Sequence, residues 1–438
     1  MRMRHVLAAV ATIATIAALT GCAGGGSGSA SDGNSINGKP TGTIKVLTQR
    51  TDIVDTVFQT YKKEFEKAYP GVTVTFQAIT DYEGDVATML NTKSYGDVLL
   101  IPNSVGRDQL ADYFVPLGSV KDLSKTYRFI QEQSFDNKGY GIAITGNAQG
   151  ILYNKKVWAA AGLTDLPTTP DEFVADLKQI KSNTDATPLY TNYKDGWPMS
   201  QWEGNRGILG DPNVSNELTT DTSPWEADKY HGIVDGLLYD VVHDGLTEAD
   251  PTTTDWEGSK GLLGSGKVGT MVLGSWAITQ FQDAAVKAGA SADDIGYMPF
   301  PYQANGQFYS TIGGDYKNAI SKYSQHKAAA WAWIKWFAAK SGYAHDQGGL
   351  SPLVDGPAPD TLKDLDAAGV KYIELTPPSA KDAAWETNET KESEIDLWGN
   401  VYRQKLVDIA RGAASGSKAS YFADLNKAWS AAVSTVTG

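Results

Sequence analysis

From residue 44 onward the chain alternates between two hydrophobic periods, and this restricts it to a layered α/β architecture. Residues 44–47, Ile-Lys-Val-Leu, form a short strand signal. Val54, Val57, Phe58, Tyr61, Phe65 and Ala68 then recur at helical spacing until Pro70 and Gly71 stop the pattern. Val72, Val74 and Phe76 alternate with polar residues, as in a strand with one face buried. Residues 97–101, 141–145, 151–153, 267–273 and 294–298 read as further strands. Thr169-Pro170-Asp171-Glu172 opens a helix, with Thr as N-cap, Pro in the first turn and Glu closing a capping box. Residues 328–339 and 395–410 read as apolar helices, the second presenting Trp398, Tyr402, Leu406 and Ile409 on one face. Strands separated by helices predict largely parallel sheets. No repeat and no second low-complexity break divides the body, so the chain is expected to cross between lobes rather than finish one first.

At 438 residues the chain exceeds one ordinary domain, and two lobes with separate cores are expected. The formal charge of −13 argues against a nucleic-acid partner, because phosphate binding needs clustered Lys and Arg. A single cysteine, Cys22, excludes an intrachain disulfide and any multi-cysteine metal cluster. Its position is informative. Arg2 and Arg4 precede an apolar run from Val6 to Leu19, whose roughly 21 Å as a helix falls short of a bilayer core. Residues 1–21 are therefore a signal peptide. Leu19-Thr20-Gly21-Cys22 resembles the lipobox of bacterial lipoproteins, which implies a lipid on Cys22 and a protein tethered to the outer face of the cytoplasmic membrane. An ordinary cleavage site followed by a spare cysteine is the alternative. Residues 22–42, rich in Gly and Ser, form a flexible linker with a reach of roughly 25 Å.

Four segments, in order, carry a family resemblance. They are Gly150-Ile-Leu-Tyr-Asn-Lys-Lys-Val-Trp-Ala-Ala-Ala-Gly-Leu163 with Pro167-Thr-Thr-Pro-Asp-Glu-Phe173; Gly266-Lys-Val-Gly-Thr-Met271 leading to Gly274-Ser-Trp276; Asp294-Ile-Gly-Tyr-Met-Pro-Phe-Pro301; and Ile320-Ser-Lys-Tyr-Ser-Gln-His-Lys-Ala-Ala-Ala-Trp331. Together they resemble the carbohydrate-binding extracellular solute-binding proteins of ATP-driven (ABC) importers, the group that includes maltose-binding protein. The resemblance implies the two-lobed periplasmic-binding-protein-like α/β fold, with ligand in a cleft between lobes joined by hinge segments. Carried over by position, lobe one covers 43–143 plus 312–367 and lobe two 148–308 plus 368–438. It also implies an oligosaccharide ligand, permease partners in the membrane and a monomer, with no cofactor or metal.

A sugar presents C–H faces that an aromatic ring can cover and hydroxyls that need paired donors and acceptors. Trp276 follows a strand end where the family places a stacking aromatic; plugging the strand–helix corner is its other reading. The loop from Tyr193 to Trp202 contributes Trp197, Trp202 and Asp195, although the tryptophans could equally pack the loop and the acid could be solvated. Arg50 and Asp52 follow the first strand, and Asn103 follows the strand at 97–101. Helix capping competes with binding for Asp52. Asn147 aligns with a polar ligand contact in relatives, Asp315 follows the glycine pair Gly313-Gly314, and Trp398 faces either the cleft or its own core. The rest of the tryptophans, Trp256 and the Trp331–Trp336 group included, are expected to be structural or carry no ligand role.

Two rival readings stand beside this one. A secreted glycoside hydrolase would need a carboxylate pair across the cleft, and 51 acids make such pairs inevitable and uninformative. No G-x-S-x-G, H-E-x-x-H or phosphate-loop motif is present, and His231, His243, His326 and His345 suit surface or capping roles. The third reading is the same fold binding a peptide or polyamine.

Overall fold

A computed structural model describes residues 34–437 apart from Asp81 and Ala380; the signal peptide expected at 1–21, Cys22 and most of the expected linker lie outside the described residues. The principal strands are, in chain order, β1 Gly42–Thr48, β2 Val72–Ala78, β3 Val98–Leu100, β4 Ile142–Ala143, β5 Gly146–Asn154, β6 Thr187–Leu189, β7 Val268–Gly274, β8 Ile295–Met298, β9 Gln307–Gly314, β10 Lys317–Ile320 and β11 Lys371–Glu374. The helices that matter below are α1 Val57–Ala68, α2 Pro170–Asn183, α3 Tyr230–His243, α4 Trp256–Gly264, α5 Ile278–Lys287, α6 Lys327–Lys340, α7 Tyr343–Asp346, α8 Trp385–Ser393, α9 Val401–Ala410 and α10 Lys418–Thr437.

Two sheets define two lobes. The first has the order β2-β1-β3-β10-β4, with β1 parallel to β2 and β3 and β10 antiparallel to β3 and β4. The second is built on β5, which runs antiparallel to β7, β8 and β9; β6 joins β7 and β11 joins β9 in parallel. The sheets are mixed, which corrects the expectation of largely parallel ones. The strands that carry the chain between lobes enter each sheet in the opposite sense, and side-chain periodicity reports burial without reporting direction.

Each sheet is covered on both faces. In lobe one Val46 and its register partners Phe76 and Val98 share a face of the sheet, and the core cluster joins them to Phe58 and Phe65 of α1 and Trp333 and Phe337 of α6, so the Trp331–Trp336 group is core as expected. In lobe two neighbouring residues of β5 point apart: Ile151 joins Phe173, Leu237, Trp202 and Trp429, while Leu152 joins Leu263, Leu273 and Phe281. Leu362 and Leu365 belong to this second layer, and Asp364 accepts from the Tyr297 N–H of β8 and pairs with Lys155. The chain has thus rejoined lobe two ahead of residue 368. Between the lobes, Asp315 N–H donates to Thr145 O, Ile144 N–H to Tyr316 O, and Gly146 and Leu350 exchange both backbone bonds. Among the described residues these stretches form a hinge of adjacent segments.

Two local details differ from expectation. Thr169 caps α2 by accepting from the Glu172 N–H, but the Glu172 carboxylate reaches back to Thr168 rather than Thr169. The helix expected over 395–410 begins only at Val401, because the Asp396 carboxylate collects the N–H groups of Asn400, Val401 and Tyr402. Trp398 therefore lies on the turn before α9. His231 is also not at the surface. It is 2% exposed, with Nε2 3.2 Å from Glu203, in a buried set of charges where Arg206 and Arg403 bind Glu203 and Arg403 binds Asp235.

Candidate ligand cleft between the lobes

The space between the lobes is about 790 Å³. Its lobe-one wall is Gln49, Arg50, Asp52, Tyr343 and Gln347; the hinge contributes Thr145, Asn147, Asp315, Tyr316 and Gly349; the lobe-two wall is Trp197, Trp276, Thr279 and Gln280. The placement follows from the sheets. Arg50 and Asp52 lie beyond the carboxyl end of β1, and Trp276 lies beyond that of β7, the ends at which open α/β sheets present ligand groups.

The lobe-one wall is polar and already knitted together. Arg50 Nε and one terminal nitrogen grip Asp52 in a two-pronged contact at 2.8 and 2.7 Å, and its other nitrogen donates to Tyr343 Oη at 3.0 Å and Gln347 Oε1 at 2.6 Å. The guanidinium holds the Asp52 carboxyl below its ordinary pKa, so both charges persist and cancel locally. At the hinge, Asp315 accepts from the Tyr316 N–H, and the Asn147 side chain bonds to no described residue, leaving its amide to the cleft.

The lobe-two wall is aromatic. Trp197, with 39% of its surface exposed, and Trp276 lie with ring centroids 5.8 Å apart and planes tilted by 43°. Trp276 Nε1 donates weakly to Gln201 Oε1 at 3.4 Å. Trp197 is aimed by the turn before it. Gly196 has φ 75° and ψ −55°, and the Trp197 N–H donates to Asp195 O at 2.8 Å, closing a three-residue turn of the rare positive-φ kind. A side chain at Gly196 would meet Asn400 Nδ2 at 2.2 Å.

Of the residues singled out from sequence, Trp276, Trp197, Asn147, Asp315, Arg50 and Asp52 come together here. The remaining four do not. Trp202 is 2% exposed in the lobe-two core, its ring edge-on to Phe300, which corrects its assignment to the ligand. Asp195 turns its carboxylate to the Trp256 N–H. Asn103 binds the Glu83 carboxylate through its backbone and side-chain nitrogens, tying down its own loop. Trp398 stands outside the cleft lining, 57% exposed, stacked over the Arg206 guanidinium at 4.8 Å and donating to Glu386. Sequence reasoning missed Tyr343, Gln347, Thr279 and Gln280, and at the hinge Thr145, Tyr316 and Gly349. The spacing of Tyr343 and Gln347, one helical turn apart just after the long apolar helix, was the available signal.

Residues 51–344 match the family described as bacterial extracellular solute-binding protein. The chain is similar to a binding protein of an ABC transporter from Bifidobacterium animalis subsp. lactis, solved in complex with mannobiose, at 35% identity over 90% of this chain and 95% of that one, with a TM-score of 0.80. It is similar at 34% identity, over the same shares and with a TM-score of 0.79, to a manno-oligosaccharide specific solute-binding protein of that organism in complex with mannotriose. A multiple sugar-binding protein of Streptococcus mutans is 24% identical over 306 residues, which cover 67% of this chain and 70% of that protein.

Proposed function

This chain belongs to the bacterial extracellular solute-binding proteins, and from that premise we propose that it captures an oligosaccharide between its lobes and delivers it unaltered to the membrane subunits of an ABC importer. The observation that carries the reading is the pairing of an aromatic wall, Trp197 and Trp276, with a polar wall whose one strong ion pair, Arg50 with Asp52, neutralises itself. An uncharged polyol suits that combination: its C–H faces lie on the indoles and its hydroxyls meet Arg50, Asp52, Asn147 and Gln347. An anionic ligand would find no unmatched cation in the lining, where Arg50 is paired with Asp52 and the charge left without an ion-pair partner is the Asp315 carboxylate. The volume falls within the range of small-molecule sites and leaves room for two to four sugar units. The mannobiose and mannotriose complexes of the two relatives make manno-oligosaccharides the first class to test.

Binding would draw the lobes together about the hinge at 144–146 and 314–317, and the importer would read the closed form. Acylation of Cys22 would keep the protein, as a monomer, at the outer face of the cytoplasmic membrane with the linker as its leash. The test is calorimetric titration with mannobiose, mannotriose, maltotriose and raffinose, with chromatography of each mixture afterwards. Saturable binding of an intact sugar is expected. Cleavage of any of them, or no binding across the panel, would sink the reading.

A further inference from the structure

The two cleft tryptophans share a partly buried neighbour that is not among the residues lining the cleft. Trp256 opens α4, and its ring lies 4.7 Å from Trp197 at 75° and 5.8 Å from Trp276 at 53°. On the core side it meets Phe281, which is fully buried, at 5.8 Å, and Lys260 Nζ sits 4.9 Å over the indole. The main chain is held as firmly as the ring. Asp255 caps α4 by accepting from the Gly258 N–H, and the Trp256 N–H donates to the Asp195 carboxylate. Asp195 in turn accepts the Trp197 N–H through its carbonyl, closing the turn that aims Trp197. One acid thus ties the loop carrying Trp197 to the helix carrying the ring that both cleft indoles touch.

Resting on the oligosaccharide reading, we infer that Trp256 and Asp195 are positioning residues for binding: they fix the distance and tilt between Trp197 and Trp276 before the ligand arrives. A half-exposed indole such as Trp197 has several open rotamers, and a ligand that stacks on it must otherwise freeze one. Trp256 packs against both rings before any ligand is present, so the ordering happens during folding. Asp195, expected from sequence as a ligand group, acts through the two tryptophans.

The experiment compares wild type with Trp256→Leu, Trp256→Phe and Asp195→Asn, using mannotriose as the probe and near-ultraviolet circular dichroism of the ligand-free proteins as a second readout. Trp256→Leu is expected to bind mannotriose about 10- to 100-fold more weakly, the cost of immobilising two rings at binding. Its ligand-free tryptophan band should be weaker than that of Trp256→Phe, which lacks the same indole, because the fixed asymmetry around Trp197 and Trp276 is lost in addition. Trp256→Phe, which retains an aromatic ring against Phe281, should recover most of the affinity. Asp195→Asn, which weakens one acceptor and keeps the shape, should show a smaller loss of both signals. A folded Trp256→Leu protein with the wild-type band, or with wild-type mannotriose affinity, would overturn the inference, as would Trp256→Phe no better than Trp256→Leu. If wild type itself ignores mannotriose, the sugar assignment fails and the ligand-free band alone decides the role of Trp256.

Discussion

Replacing Gly196 by Ala should cost about 2–4 kcal/mol, and the figure can be built from two separate contacts. The first is backbone: at φ 75° an L side chain crowds its own carbonyl, a strain of about 1–3 kcal/mol. The second is steric: the new Cβ would stand 2.2 Å from Asn400 Nδ2, so that amide must move and give up its 2.9 Å bond to Gln404 Oε1, worth about 1 kcal/mol. The cost divides between stability and affinity, depending on whether the turn holds its shape or relaxes and carries Trp197 away from Trp276. Denaturant unfolding and titration with mannotriose, taken together, recover the sum. Asn400→Ala loses only the second part, and the double variant should be no worse than Gly196→Ala alone, because both singles break the same bond. That leaves a coupling of about 1 kcal/mol in a double-mutant cycle. Fully additive losses would show that Asn400 is not the obstacle. A Gly196→Ala protein within about 0.5 kcal/mol of wild type in both assays would refute the strained-turn argument.

Trp276→Ala should leave the protein folded and weaken sugar binding by about 2 kcal/mol or more, roughly 30-fold, by calorimetry; unchanged affinity would place the ring outside the ligand's reach. Trp202→Phe should bind as wild type does, whereas Trp202→Ala should lose about 3–5 kcal/mol of stability in denaturant melts, since its ring fills the core against Phe300. Glu389 of α8 is fully buried with neither carboxylate oxygen hydrogen-bonded among the described residues, and burial with the nearby Glu386 pushes its pKa up to about 7. A carboxyl raised on folding favours the folded state least when it must ionise, so the wild-type melting temperature should fall between about pH 5 and pH 8. Glu389→Gln should flatten that decline, and equal slopes in the two proteins would contradict it.

What could be read from the sequence follows the range of the forces involved. Periodicity located β1, α1, β2, α2, β7 and α6 because burying one face imposes its spacing on every residue of the element. Strand direction depends on where the chain comes from, which β5 and β10 decide through the hinge and their own residues do not. The start of α9 was misplaced because Asp396 overrides an otherwise continuous apolar stripe by gathering three backbone donors. Site residues at strand ends, such as Arg50 and Trp276, were legible because sheet geometry delivers them. Tyr343 and Gln347 offered only their helical spacing, since their value comes from Arg50, nearly 300 positions away in the chain. Trp202 and Trp197 belong to the same segment and differ only in which side of it faces the core.

The place of β10 has a consequence for how the protein is made. It lies between β3 and β4 in the first sheet, and its residues 317–320 leave the synthesis machinery more than 170 residues after β4. An emerging chain that has exposed both neighbours holds a gap where that strand belongs, with open edges at Leu99 and Ile142 that nothing yet fills. Lobe one therefore cannot close until lobe two has largely emerged. Such long-range closure slows folding, so lobe one stays pliant while the rest of the chain is being made. Late closure keeps the whole length of a nascent chain threadable until nearly all of it has emerged.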